Sequence, residues 1–202
     1  MDKVAEYNQA RSKALTEANA LFTRPRLDLD AGSAQLLVDP ERLLGDLNGR
    51  SVLCLAGGGG QQSAAFALLG ARVTVVDIST EQLERDLQVA KKYDVPIDIV
   101  HADMRDLSGL EADGFDLVYH PYSLNFVPDS TKVFRQVKHV LRNGGLYWFT
   151  CANPFTMGAK QSDWNGAGYS LREPYVTGAL ISYNDQDWVY DRTIGKIGRA
   201  HV

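Results

Sequence analysis

A run of four glycines, followed about 20 residues later by a carboxylate, is the part of this sequence that points most directly to chemistry. The glycines are Gly57, Gly58, Gly59 and Gly60, flanked by Ala56 and Gln61. Because glycine has no Cβ, it lets the backbone turn sharply and lets a ligand lie against backbone amides. The helical pattern that follows would offer further N–H groups and a positive dipole end to an anionic ligand group.

Asp77 is the carboxylate, and it ends the apolar run 73–76. An acidic side chain at the end of a second strand is placed to accept both hydroxyls of a ribose. The alternative is that Asp77 starts the next helix, since Ser79 and Glu81 are also typical of a helix start. The glycine run and the carboxylate occur together at the expected separation, which favours the ribose interpretation.

Polar and reactive side chains also follow two later apolar runs. Asp103 and Met104 come after the third run, and His120 ends the fourth. His120 is a candidate catalytic base, because an imidazole titrates near neutrality. The alternative is that His120 packs beside a ligand without moving a proton. Tyr122 and Asn125 come just beyond it and are placed to contact a substrate.

Five apolar runs alternate with helical patterns, and these elements must position the candidate residues. The runs are 52–55, 73–76, 97–100, 115–119 and 146–149. Strands that alternate with helices in this way predict an α/β fold, a doubly wound and mostly parallel sheet with helices on both faces. Ligands bind such sheets at the carboxyl ends of the strands, where the candidate residues stand.

Taken in order, these motifs resemble the class I S-adenosylmethionine-dependent methyltransferases over roughly residues 50–150. The resemblance rests on the glycine run, Asp77, the Asp103-Met104 pair, the segment 115–118 and the turn 143–145. It implies a Rossmann-like fold, S-adenosylmethionine as cofactor, and methyl transfer by direct displacement to a small-molecule acceptor.

The resemblance also implies roles for individual residues. Residues 56–61 would approach the methionine end of the cofactor, with Ala56, Gly58 and Gly60 in the places of the family's three glycines. Asp77 would hold the ribose and Ile78 would pack on the adenine. Asp103 would accept from the adenine amino group beside the Met104 backbone, and His120 would stand where the fourth strand opens toward the methyl group. Two departures are Ala56 at the first glycine position and Cys54 where the family carries an acidic residue.

The first 20 residues have helical periodicity. In methyltransferases that this chain resembles, such a helix lies over the cofactor cleft, and Tyr7 would be the residue that reaches in toward the substrate. The alternative is a helix packed on the outside of the sheet, with Tyr7 as an ordinary amphipathic contact.

We interpret residues 1–196 as one domain, with a helical cap over 1–30, a cofactor-binding core over 50–150 and a substrate-shaping insertion over 151–196. Residues 197–202 are the translation, in one frame, of a widely used DNA-sequencing adapter. We therefore expect a non-native tail and a sheet truncated after the fifth strand and its insertion. The alternative is a genuine polar tail.

Composition limits the remaining function classes. The chain has 202 residues, 45% of them apolar, and a formal net charge of −4. The negative charge argues against nucleic acid as a partner, because that interaction requires clustered Lys and Arg. The four histidines show no ligand spacing, which predicts no metal site. Without a membrane span or signal peptide, and with two cysteines expected to be buried thiols, we expect a cytoplasmic enzyme.

Two other functions use the same features. A nicotinamide-dependent oxidoreductase has the same sheet, but Ser63 stands where its third glycine would be. A non-catalytic fragment that binds cofactor or a partner would explain Cys54 and the missing C-terminal strands. The sequence leaves the acceptor and the oligomeric state open.

Overall fold

A five-stranded sheet forms the centre of the molecule. The structure is a computed structural model, and it describes residues 2–151 and 164–168. The strands are β1 Ser51–Leu55, β2 Arg72–Asp77, β3 Ile97–His101, β4 Phe115–His120 and β5 Leu141–Phe149. All pairings are parallel, in the order β3-β2-β1-β4-β5. The predicted α/β fold with a parallel sheet is confirmed.

Helices cover both faces of the sheet. They are α1 Lys3–Glu17, α2 Ala31–Val38, α3 Gln62–Leu68, α4 Thr80–Tyr93 and α5 Ser130–Val140, with 3₁₀ turns at Leu21–Thr23 and Ser123–Phe126. Alternate residues of β1 enter different cores. Val52 and Cys54 pack in the core that includes residues of α2, α3 and α4, whereas Leu53 and Leu55 pack in the core that includes α5. Burial on both faces explains why β1 is apolar without alternation.

The strand order reverses between β1 and β4, and this is the point where an open α/β sheet forms a crevice at its carboxyl edge. Both strands end there, β1 at Leu55 and β4 at His120. The loops after β1, β2, β3 and β4 therefore meet at one edge of the sheet, and they carry the predicted site residues.

The fifth strand differs from its prediction. The sequence predicts a turn followed by a strand over 146–149, but β5 begins at Leu141, directly after α5. Leu141 pairs with Phe115 and Leu146 pairs with Leu117, so the residues between form a bulge. Gly144 has a φ of +77° there, a conformation that glycine adopts without steric cost.

Most of the predicted insertion over 151–196 and all of the predicted tail over 197–202 lie outside the described residues. Within the described ranges, no helix combines the length and the apolar character needed to span a membrane. The cytoplasmic location and the absence of a nucleic-acid partner stay predictions. Cys54 is buried as predicted, but Cys151 is exposed, because it follows the end of β5 instead of lying within the sheet.

Candidate active site

A cavity of about 350 Å³ opens at the carboxyl edge of the sheet. Its walls include predicted residues of the glycine turn, namely Ala56, Gly57, Gly58 and Gln61. Predicted residues at the ends of β2, β3 and β4 complete them, namely Asp77, Ile78, Asp103, Met104 and Tyr122. The structure therefore brings most of the predicted site into one place.

Asp77 lies at the end of β2, is 9% exposed, and faces the cavity. Its Oδ2 accepts from the Gly58 amide at 3.0 Å, and its Oδ1 accepts from the Ser79 amide at 2.8 Å. Burial raises the pKa of this carboxyl group above its ordinary value. The helix cap is Ser79, which accepts from the Gln82 amide, so Asp77 is not itself the cap of α4. Each Asp77 oxygen keeps acceptor capacity for a ligand hydroxyl.

Three amides of the glycine turn bond to carboxylates of the chain, whereas the sequence predicts that a ligand lies against them. The Gly58 amide donates to Asp77, and the Gly59 and Gly60 amides donate to Asp86 at 3.0 and 3.1 Å. Gly59 and Gly60 are absent from the cavity wall. Two carboxylates of the chain thus occupy the positions that an anionic ligand group would need, which makes this end of the cavity suited to a cation.

Asp86 is fully buried on α4, and the sequence interpretation missed it. The Ser63 hydroxyl also donates to it. The available signal was its position, because Asp86 lies three residues from both Leu83 and Val89, which form the buried face of α4. A carboxylate on the apolar face of a helix needs polar partners. Burial raises the pKa of Asp86 to about 7, and the neighbouring Asp77 charge adds to that rise.

Asp103 is held by Arg105, a second residue that the sequence interpretation missed. The Arg105 guanidinium donates to both Asp103 oxygens, with Nη2 at 2.6 Å from Oδ2. It also donates to Asp2 at 2.7 Å, and Asp2 is the N-cap of α1. These two carboxylates raise the pKa of Arg105, and Arg105 lowers the pKa of Asp2. The predicted adenine ligand is therefore connected to the first turn of α1.

The first helix lies over the cavity, as the resemblance implies. Asn8, Arg11, Ser12 and Leu15 line the cavity, whereas Tyr7 does not and is 42% exposed. The residue that lines the cavity is thus Asn8, one position after the predicted Tyr7. The Asn8 side chain donates to the Phe126 carbonyl at 2.7 Å, and the Gln9 side chain donates to the Ile78 carbonyl at 3.1 Å. These bonds hold α1 against the loops after β2 and β4.

His120 is fully buried and is not part of the cavity wall. Its Nδ1 lies 2.8 Å from the Tyr147 hydroxyl, and its Nε2 has no hydrogen-bond partner among the described residues. Burial lowers the pKa of His120 to about 4. At neutral pH the ring is therefore uncharged and is a weak base, which favours the packing alternative over proton transfer.

Tyr122 lines the cavity in an unusual backbone conformation, with a φ of +58°. Its amide donates to Thr150 and its carbonyl accepts from the Asn125 side chain at 2.8 Å. Asn125 is not in the cavity wall, so in this structure it supports Tyr122. A non-glycine residue held at positive φ costs about 1–3 kcal/mol and is common at functional sites.

The two departures from the family pattern have structural counterparts. Ala56 has a φ of +45°, so alanine takes the left-handed conformation at the family's first glycine position. Cys54 is fully buried, and burial raises the pKa of its thiol well above the ordinary value. Cys54 therefore contributes an apolar side chain to the core, and it is not part of the cavity wall. Across the described ranges, no three His, Cys, Asp or Glu side chains are grouped so as to hold a metal ion.

The parallel sheet and the cleft at its switch point define a Rossmann-like α/β domain. Residues 53–149 match the family model described as a methyltransferase domain. The chain is similar to a solved S-adenosylmethionine dependent methyltransferase from Mesorhizobium loti, with a TM-score of 0.53 and 28% identity. The similarity covers 66% of this chain and 59% of that chain. Residues 53–149 are therefore similar to a methyltransferase domain, and the fold is that of a solved S-adenosylmethionine dependent methyltransferase.

Two curated relatives show how far the similarity extends. The uncharacterized methyltransferase YbaJ of Bacillus subtilis (strain 168) is 38% identical over 108 residues, which are 54% of this chain and 42% of that protein. The demethylmenaquinone methyltransferase of Clavibacter sepedonicus is 33% identical over 138 residues, which are 66% of this chain and 54% of that protein. The chain spans about half the length of these relatives.

Proposed function

We propose that this chain binds S-adenosylmethionine in the cavity beneath α1 and transfers its methyl group to a small-molecule acceptor. The observation that carries the proposal is the geometry of Asp77. It is buried at the end of β2 and faces the cavity, and its two oxygens accept from the Gly58 and Ser79 amides. The remaining acceptor capacity suits the two hydroxyls of a ribose.

The other cofactor contacts follow from the order of residues around the cavity. Asp103 and the Met104 backbone would meet the adenine edge, and Ile78 would pack on its face. The glycine turn would meet the methionine end, where the charges of Asp77 and Asp86 favour a cation. S-adenosylmethionine carries a sulfonium, an ammonium and one carboxylate group, so its net charge is positive and fits this end of the cavity.

S-adenosylmethionine supplies a methyl group that is already activated by its positive sulfur, so transfer is a direct displacement. This chain must then align the acceptor atom, the methyl carbon and the sulfur. Such alignment can lower the activation barrier by as much as about 7–11 kcal/mol. Helix α1 covers the cavity and Tyr122 forms part of its wall. His120 lies behind that wall, and we assign it to packing rather than to proton transfer. An acceptor that must lose a proton would lose it to another group.

A nicotinamide cofactor fits this site less well. Dinucleotides place their pyrophosphate on free amides of a glycine turn and at a helix N-terminus. Here the Gly58, Gly59 and Gly60 amides already donate to Asp77 and Asp86. A pyrophosphate in that position would face two carboxylates of the chain and would be repelled by them.

The name of one relative supports the acceptor class. A relative that is 33% identical carries the name of a small-molecule acceptor, demethylmenaquinone. Acceptor choice lies in segments that vary among proteins of one fold, so the atom that receives the methyl group stays open.

Calorimetric titration of this chain with S-adenosylmethionine, S-adenosylhomocysteine and reduced nicotinamide dinucleotide tests the proposal. We expect micromolar binding of the first two ligands and none of the third. Binding of the dinucleotide alone would reverse the assignment. Binding of S-adenosylmethionine without methyl transfer to any acceptor in a radiolabel screen would support the non-catalytic alternative.

A further inference from the structure

The glycine turn is an anion-binding arrangement that the chain fills with its own carboxylate. Gly59 and Gly60 have φ values of +116° and +69°, and their successive amides donate to the two oxygens of Asp86. Successive backbone N–H groups that converge in this way form a nest for an anion. Asp86 is fully buried, so solvent does not compete for these bonds.

The turn is packed closely against α4, and this packing leaves it few ways to move. A Cβ added to Gly60 would lie 2.6 Å from the Arg85 carbonyl oxygen, and one added to Gly58 would lie 2.8 Å from the Gln82 Cβ. The Gly59 amide also lies 3.1 Å from the Gln82 carbonyl oxygen. Asp86 is the one charged side chain of α4 that the described hydrogen bonds join to the turn.

We propose that Asp86 is the positioning residue that holds the glycine turn in the shape required to receive the cofactor. It does not line the cavity, so it acts through the turn and not by touching the ligand. When Asp86 is ionised, both oxygens accept, and the Gly59 and Gly60 amides stay directed away from the cavity. When it is protonated, one oxygen carries a hydrogen and loses its negative charge, so the hydrogen bonds from the turn amides to the carboxyl group weaken. The inference rests on the proposed function for the identity of the ligand.

The groups around Asp86 indicate that its carboxyl group gains or loses a proton near neutral pH. Cys54 of β1 and Asp77 of β2 interact with it electrostatically, and Ser63 of α3 donates to it. The adjacent Arg85 directs its guanidinium to the carbonyls of Thr16 and Thr23. Burial, with a contribution from Asp77, raises the pKa of Asp86 to about 7. The ammonium group, which S-adenosylmethionine and S-adenosylhomocysteine share, favours the ionised form when it lies beside the turn, so the affinity for both ligands should rise with pH through this range.

The first test compares Asp86→Asn with Glu84→Gln, which removes one charge from an exposed position of the same helix. The asparagine has nearly the same shape, but its amino group faces a backbone amide. We expect Asp86→Asn to weaken S-adenosylhomocysteine binding at pH 8 by at least about tenfold. We expect Glu84→Gln to bind as the wild type does. In turnover, Asp86→Asn should raise KM for S-adenosylmethionine more than it lowers kcat.

The second test uses the wild type, so it holds even if Asp86→Asn does not fold. We expect weaker S-adenosylhomocysteine binding at pH 6 than at pH 8, with a midpoint near the pKa of Asp86. Ser63→Ala removes a hydrogen bond that lowers this pKa and should move the midpoint to higher pH. Hydrogen exchange at the Gly59 and Gly60 amides should quicken as Asp86 is protonated, beyond the intrinsic effect of pH.

The outcomes separate this inference from the proposed function. If the wild type binds S-adenosylhomocysteine and both variants keep its affinity and pH dependence, the positioning role is wrong and the proposed function stands. If the wild type binds no S-adenosylhomocysteine, the proposed function is wrong. If, in addition, hydrogen exchange of the Gly59 and Gly60 amides does not change when Asp86 is protonated, the positioning role is also wrong.

Discussion

Replacing His120 by glutamine is expected to change how stability depends on pH. In the folded chain the pKa of His120 is about 4, because the ring is buried, whereas the ordinary value is 6.5. At pH values well above 6.5 the ring is neutral in both states. As the pH falls from 6.5 to 4, the unfolded chain binds a proton that the folded chain does not, so stability is lost. A difference of about 2.5 units corresponds to about 3 kcal/mol.

Urea unfolding at several pH values between 7.5 and 4.5 measures this effect. His120→Gln removes the titrating group, and its amide can still bond to the Tyr147 hydroxyl. We expect the free energy of unfolding to fall by about 2–3 kcal/mol more in the wild type than in this variant over the range. The two proteins share all other effects of acid, so these cancel in the comparison. His139→Gln, at an exposed position of α5, is the matched control and should follow the wild type. Equal losses in the wild type and His120→Gln would refute the reasoning.

Three further substitutions test the site, and Ala90→Gly is the control for the first of them. Ala56→Gly should raise the free energy of unfolding by about 0.5–1 kcal/mol, because it relieves a φ of +45°. Ala90→Gly, within α4, should lower the free energy of unfolding by about 0.5–1 kcal/mol. Urea titrations in which the two variants change this free energy in the same direction would contradict the prediction. Asp77→Ala should weaken S-adenosylmethionine binding by about 1.5–3 kcal/mol, roughly 10- to 150-fold, and calorimetry that finds unchanged affinity would mean that Asp77 is not the ribose ligand. Arg105→Gln should break the bonds from Asp103 to the start of α1, and hydrogen exchange within Lys3–Glu17 should then quicken. Unchanged exchange would show that α1 is held by its other contacts alone.

The sequence was sufficient for the fold, because the fold is encoded in local patterns. The apolar runs located β1 to β4, and the glycine run located the turn after β1. Asp77 could be assigned because a carboxylate at the end of the second strand meets the cleft whatever the details of packing are.

The features that the sequence did not predict depend on contacts between distant residues. Gly59 and Asp86 are 27 positions apart, and nothing in a glycine run shows which way its amides point. Arg105 reaches Asp2 across 103 positions. Whether Tyr7 or Asn8 faces the cavity depends on a rotation of α1 by one residue, which tertiary bonds decide. The bulge at the start of β5 results from the direct junction with α5.

Because Cys54 is buried, the rate at which a thiol reagent modifies it reports how often the core around β1 opens. The Cys54 side chain is fully buried beside Gly57, where an added Cβ would lie 3.3 Å from the Cys54 Cβ. Cys151 is exposed, so a thiol reagent would modify the two cysteines in separate phases. The amplitude of the fast phase would give the concentration of chains, through Cys151. The rate of the slow phase would give the rate at which β1 separates from the glycine turn and exposes Cys54. A ligand that closes the cavity would slow that separation, so cofactor binding could be followed without a label and without knowledge of the acceptor.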